Sequence, residues 1–81
     1  MVYFPLVIQM ITDETDHEFM KALYIKHRVS MFRMARAMTT SEQDAEDVVS
    51  EACVSLIKKI TRLRQLDCNV LEGYIISTVK N

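Results

Sequence analysis

The scarcity of residues that make tight turns constrains this fold more than any other feature. The chain contains one Gly and one Pro among its 81 residues. The two-residue loops of β-hairpins depend on Gly, so a sheet of many short strands would have too few turns. Six Met residues and many Ala, Leu, Lys, Glu and Arg residues favour helices instead. The sequence therefore predicts an all-α fold, a small bundle of three to four helices that forms a single domain over residues 1–81.

Composition excludes several other classes of protein. Ten basic and 11 acidic residues give a net charge of −1, too low to hold duplex DNA by its phosphates alone. The apolar fraction of 49% is typical of a globular domain and excludes disorder. Residues 1–12 are apolar but lack the basic start of a signal peptide, and no run approaches the ~20 apolar residues of a membrane span. Cys53 and Cys68 fit no zinc or redox spacing, so we expect reduced thiols in a cytoplasmic protein.

Hydrophobic periodicity and capping signals predict where the helices begin and end. Pro5 suits the first turn of a short helix over residues 5–11, although residues 3–8 could instead be extended. Longer helices are predicted over residues 16–38, 41–63 and 70–81, with a loop over residues 64–68. Capping-box spacing occurs at the start of each long helix: Thr15 with Glu18, Thr40 with Gln43, and Asn69 with Glu72. Ser41 is an alternative cap for the second long helix.

The first long helix carries two apolar lines, which predict a central helix with neighbours on both sides. One line consists of Phe19, Leu23, Ser30, Met34 and Ala37, and the other of Ala22, Ile25, Val29 and Phe32.

The second long helix has one core stripe and an opposite face that mixes charged and apolar residues. At helical spacing the stripe comprises Ala45, Val49, Ala52, Leu56, Ile60 and Leu63. Opposite it lie Asp47, Ser50, Glu51, Val54 and Lys58, with Cys53 and Ile57 on the flank. Val54 is either a scattered exposed apolar residue or the anchor of a surface for a partner helix, and the spacing alone leaves both interpretations open.

Catalytic and metal-binding patterns are not found in the sequence. His17 and His27 are ten residues apart, which is not the spacing of two ligands on one helix face. Gly73 alone cannot form a Gly-rich phosphate loop. The acidic side chains at residues 44–51 are typical of a solvated helix face. We therefore expect neither an enzyme nor a protein with a metal or cofactor.

One stretch of the second long helix resembles a known motif. Residues 44–52, Asp-Ala-Glu-Asp-Val-Val-Ser-Glu-Ala, are similar to the Asp-Ala-Glu-Asp-apolar-apolar-Gln-Glu signature in region 2 of sigma-70 factors, most closely the extracytoplasmic-function group. Weaker similarities fall in register on both sides, at Phe19, Leu23-Tyr24, Met34-Ala35-Arg36, Gly73-Tyr74-Ile75 and Val79-Lys80-Asn81. Ser50 stands where the family usually has Gln, which removes an amide from this face.

The resemblance implies a transcription initiation factor that docks on the coiled-coil clamp helices of the largest subunit of core RNA polymerase. By position, the polymerase-binding residues would be Asp47, Ser50, Glu51, Val54, Ile57 and Lys58. The acids would steer association and fix the register, and the apolar residues would form the desolvated centre.

The resemblance also implies a role in recognising and melting the promoter −10 element as single-stranded DNA. Tyr74 matches the aromatic position that stacks on bases, and Arg62, Arg64 and Lys80 would contact phosphates. Family members continue beyond this point with further basic residues and a second DNA-binding domain, so we expect a fragment or a truncated relative. Two alternatives remain: a protein-interaction module that binds polymerase or an anti-sigma protein without reading DNA, and an unrelated bundle that oligomerises through Val54 and the apolar N-terminal segment.

Overall fold

Five helices run through residues 5–81, the part of the chain that the computed structural model describes. They are α1 (Leu6–Gln9), α2 (Glu14–Met38), α3 (Glu42–Lys58), α4 (Ile60–Leu63) and α5 (Cys68–Lys80). The three long helices pack against one another in all three pairs, and α1 lies against α2 and α3. This arrangement confirms the predicted all-α bundle. Residues 3 and 4, part of the predicted alternative strand, lie outside the described residues.

Each long helix begins at a polar side chain that accepts a hydrogen bond from the first turn. Ser41 caps α3 by accepting from the amide of Asp44 at 3.1 Å, which confirms the alternative cap. The predictions for the other two helices were wrong. Asp13 rather than Thr15 caps α2, accepting from the Asp16 amide at 2.9 Å.

The same correction applies to α5. Asp67 rather than Asn69 is its cap, accepting from the Val70 amide at 3.0 Å, and the helix begins at Cys68, two residues earlier than expected. In both helices an Asp two residues upstream takes the capping role. Asp is a better cap than the Thr predicted for α2, and it is as good as the Asn predicted for α5, where the tertiary fold chooses between them.

The predicted helix over residues 41–63 is broken at Lys59. This residue has φ −117° and ψ 22°, and its amide donates to the carbonyl of Leu56 at 3.0 Å. Helical bonding resumes when the Leu63 amide donates to the Lys59 carbonyl at 3.0 Å. Because neither Gly nor Pro lies near the break, the local sequence does not predict it. The break separates α4 from α3.

The side of α2 that meets the core agrees with the two predicted lines only in part. Its buried residues are Met20, Leu23, Tyr24, His27, Met31 and Ala35. Of the two predicted lines, Leu23 is buried and three other residues are half-buried against the core, namely Phe19, Phe32 and Met34. Ile25 and Val29 are exposed. Met and Ala residues occur on several sides of α2, so its own periodicity does not determine which face is buried. The buried face is determined by packing against the other helices.

The core stripe of α3 is largely as predicted. Ala45, Val49, Ala52 and Leu56 are buried, as is Leu63 in α4, whereas Ile60 is only half-buried because the break at Lys59 shifts its direction. Cys53 was expected on the flank but is fully buried. Ile8 of α1 is fully buried as well, so the N-terminal segment contributes to the core. No helix within residues 5–81 has the length and apolar character needed to cross a membrane.

Candidate functional site

The acidic face of α3, defined here as Asp47, Ser50, Glu51, Val54, Ile57 and Lys58, lies within one continuous helix. Each member lies three or four residues from another member, so the six follow one side of the helix. Asp47, Glu51 and Lys58 are exposed, and Ser50 and Ile57 are half-buried. Val54 is 36% exposed in the middle of this face. The geometry therefore brings all six predicted polymerase-binding residues onto one surface.

Charge is unevenly distributed along α3. Glu42 and Asp44 lie in the first turn and Lys58 lies in the last turn, which suits the helix dipole. Asp47 and Glu51 lie beyond the first turn, where the dipole contributes little. Their exposed carboxylates project an acidic field from the middle of the helix, which can attract a basic partner from solution.

The short helix α1 extends the apolar end of this face. Ile57 lines an open groove of about 360 Å³ together with Val7, Met10 and Ile11, and with Asp13 and Asp16 at the start of α2. Met10 is 70% exposed beside it. Sequence reasoning left the role of this segment open, and no local pattern indicates that it packs beside Ile57.

A polar groove of about 390 Å³ separates the end of α3 from α5. Its lining consists of Ser55, Lys59, Tyr74, Ser77, Thr78 and Asn81. The Nζ atom of Lys59 lies over the ring of Tyr74, 5.8 Å from its centroid. The Thr78 hydroxyl donates to the carbonyl of Tyr74 at 2.9 Å. This groove places an aromatic face, a cation and several hydroxyl groups side by side.

Lys59 is the functional candidate that sequence reasoning missed. It falls within the predicted helix over residues 41–63, but no contact was assigned to it. The signal that identifies it is the backbone break at this residue, which only the fold reveals.

The predicted phosphate-binding residues are not gathered around Tyr74. Arg62 is exposed on α4, and Lys80 is exposed in the last turn of α5. The Arg64 guanidinium donates to the carboxylate of Asp16 at 2.9 Å, which ties it to the first turn of α2. Both side chains of that pair are partly exposed, so the pair contributes little stability. Its effect is to hold Arg64 near α2.

The acidic face and the polar groove are neighbours. A second groove of about 160 Å³ is lined by Glu51 and Ser55 of α3 and by Thr78, Val79 and Asn81 at the end of α5. Ser55, Thr78 and Asn81 line both grooves. A partner seated on Glu51 therefore lies next to anything held by Tyr74.

Between α2 and α5, His27 lines a small groove with Cys68 and Leu71. Burial, and then the nearby charge of Lys26, lower the pKa of His27 from its ordinary value, although Glu72 acts in the opposite direction. Within residues 5–81 there is no group of three His, Cys, Asp or Glu side chains that could hold a metal ion.

Comparison with known families identifies the domain. The family described as Sigma-70 region 2 matches residues 23–81, which include most of α2 and all of α3, α4 and α5. No curated protein and no solved structure matched the chain. Sigma-70 region 2 is a domain of transcription initiation factors, with a role in RNA polymerase binding and promoter −10 recognition. Because the match covers both the acidic face and the polar groove, and most of the chain, the protein belongs to the sigma-70 region 2 family.

Proposed function

We propose that this protein binds core RNA polymerase by docking the acidic face of α3 on the clamp helices of its largest subunit. The observation that carries the proposal is the position of Val54, which is 36% exposed between the charged side chains of Glu51 and Lys58 on one side of the helix, with Asp47 one turn before Glu51. An apolar centre with a charged rim is the usual composition of a protein-binding surface. The family match supports polymerase as the partner.

The charges and the apolar residues do different work in this docking. Asp47 and Glu51 attract basic side chains of the clamp and fix the register of the two helices. Val54 and Ile57 lose water on binding and supply the favourable free energy. Ser50, shorter than the Gln of the family pattern, makes fewer contacts and weakens the docking.

Fluorescence anisotropy of the labelled full chain with core RNA polymerase tests this proposal. Glu51→Arg places a cation against the basic clamp, and we expect binding to weaken by ~10-fold or more (about 1.4 kcal/mol). Glu18→Arg makes the same charge change at an exposed position of α2 and should bind like the unmodified protein. Equal affinities for the two variants would contradict the docking face.

We further propose that the polar groove holds an unpaired base of the −10 element once polymerase has positioned the domain. Tyr74 offers a ring on which a base can stack, and Lys59 offers a cation for the adjacent phosphate. The distance of 5.8 Å between Lys59 Nζ and the ring centroid supports this assignment, because both groups can then reach one nucleotide. Arg62 and Lys80 supply further phosphate contacts along the strand.

A second candidate function is a protein-interaction module that binds polymerase or an anti-sigma protein without reading DNA. The pairing of Arg64 with Asp16 favours it, because that contact occupies one of the expected phosphate-binding side chains. Crosslinking to DNA separates the two functions, since only binding of an unpaired base requires the Tyr74 ring.

A further inference from the structure

The solvent side of α2 carries an apolar strip with a basic rim. This basic strip of α2 comprises Ala22, Ile25 and Val29 with Lys26, Arg33 and Arg36. Ile25 is 55% exposed and Val29 is 61% exposed. The two residues are four apart, so they form a continuous patch on one side of the helix. The sequence predicted a neighbour here, and nothing within residues 5–81 buries the patch.

Opposite charges dominate one long stretch of each of the two longest helices, although α2 begins with acidic residues and α3 ends at Lys58. Residues 19–38 contain Lys21, Lys26, Arg28, Arg33 and Arg36 and no Asp or Glu. Residues 42–51 contain Glu42, Asp44, Glu46, Asp47 and Glu51 and no Lys or Arg. The near-zero net charge of −1 conceals this separation. Ile25 and Val29 are exposed within the basic stretch, and Val54 is exposed one turn after the acidic stretch, between Glu51 and Lys58.

We propose that the basic strip of α2 binds the acidic face of α3 of a second copy of this chain. Carboxylates of Asp47 and Glu51 meet Lys26 and Arg33, and Val54 lies against the Ile25–Val29 patch. Charge complementarity selects this occupant, since the acidic face carries charges opposite to those of the strip and also has an exposed apolar centre. One copy cannot make the contact with itself, because both surfaces lie on the solvent sides of helices that already pack together.

The contact joins two different surfaces, so it is heterologous and leaves one free surface of each kind at the ends of an assembly. Two single helix faces bury less than the roughly 1,600 Å² of a standard interface, so the association is weak. If the proposed function holds, self-association covers the surface that docks on polymerase. The self-associated protein is then a stored form, which dilution or polymerase releases.

Sedimentation equilibrium of the full chain over about 10 µM to 1 mM, at low salt, tests the proposal. We expect an average mass that rises with concentration, and a smaller rise at about 0.5 M salt, where exposed charges are screened. A chain that stays monomeric at low salt throughout this range would overturn the proposal. The occupant of the strip would then be an acidic helix of another protein.

Two charge-reversed variants sharpen the test. In Lys26→Glu with Arg33→Glu both surfaces are acidic, and in Asp47→Arg with Glu51→Arg both are basic. Each variant alone should be monomeric, whereas an equimolar mixture should associate, because opposite charges then face each other again. Recovery on mixing also demonstrates that both variants are folded. A mixture in which helical circular dichroism is native but the mass stays monomeric would contradict the pairing.

The same variants separate this proposal from polymerase docking. The α2 variant should bind polymerase as the unmodified protein does, and the α3 variant should not. Loss of self-association with normal polymerase binding in the α2 variant supports the inference. Self-association that persists in both variants would place the contact elsewhere and overturn it, without bearing on polymerase docking.

Discussion

The Nζ atom of Lys59 lies 5.8 Å from the centroid of the Tyr74 ring. The two residues are 15 positions apart in the sequence and belong to different parts of the bundle. The backbone break at Lys59 ends α3, and α5 brings Tyr74 beneath it. A cation over a ring is weakly stabilising at an exposed site, by about 0.5–1 kcal/mol. A stacking base can therefore replace Lys59 over the ring at little cost.

Removal of the Tyr74 ring should weaken DNA contact. In the complex with core polymerase, Tyr74→Ala should reduce crosslinking to a single-stranded −10 oligonucleotide by ~10-fold, since stacking contributes about 1–3 kcal/mol per base. Tyr74→Phe keeps the ring and should retain most of the signal. If Tyr74→Ala crosslinks like the unmodified protein while polymerase binding is normal, the protein-interaction module is the better account.

The cap of α5 can be tested against the residue that the sequence favoured. Asp67→Ala removes the acceptor for the Val70 amide and should lower the free energy of unfolding by about 1 kcal/mol. Asn69→Ala changes an exposed residue within the first turn and should alter it by less than about 0.5 kcal/mol. Urea denaturation of both variants measures the difference, and the reverse order would restore Asn69 as the cap.

Composition and hydrophobic periodicity allowed much of this fold to be predicted. Turn-poor composition predicted the helical class, and the period of α3 located both its core stripe and its outer face. Those predictions succeeded because α3 has clearly separate apolar and acidic sides. The caps at Asp13 and Asp67 were missed because other side chains that can cap a helix, Thr15 and Asn69, lie two residues from them.

The face of α2 and the polar groove could not be predicted, for different reasons. Ile25 and Val29 are more apolar than Tyr24 and His27, yet the fold buries the latter pair and exposes the former. Burial there depends on which side meets α3 and α5, which is a tertiary property. The contact between Lys59 and Tyr74 depends on a helix break that no Gly or Pro marks.

The free energy of unfolding should depend on pH through His27, a residue of α2 that is only 9% exposed where α2 packs against α5. Its pKa lies below the ordinary value of 6.5 mainly because of burial, so the unfolded chain binds the proton more readily. Stability from this group is complete above about pH 6.5 and is lost as the pH falls toward the lowered pKa.

Thermal denaturation at several pH values between about 7.5 and 5.5 measures this dependence. His27→Gln should flatten the decline in melting temperature over that interval, and His17→Gln should leave it in place. Parallel declines in the unmodified protein and in His27→Gln would show that other groups are responsible.

The two free cysteines should differ sharply in reactivity. Burial removes Cys53 from solvent and raises its pKa to about 12, whereas Cys68 is exposed at the start of α5. Because the thiolate is the reactive form, a chromogenic disulfide reagent at pH 8 should titrate one thiol in the native protein and two in denaturant. Cys68→Ser should abolish the native reaction; rapid native labelling of Cys53 in that variant would contradict its burial.

Photocrosslinking from position 54 tests the docking of α3 most directly. A photoreactive phenylalanine analogue replaces Val54 in one protein and Val70 in another, since Val70 is an exposed valine on α5. In the complex with core RNA polymerase, the analogue at position 54 should crosslink to the clamp helices of the largest subunit, and the analogue at position 70 should not. Strong crosslinking of the clamp from position 70, with none from position 54 in a complex of normal affinity, would contradict the account.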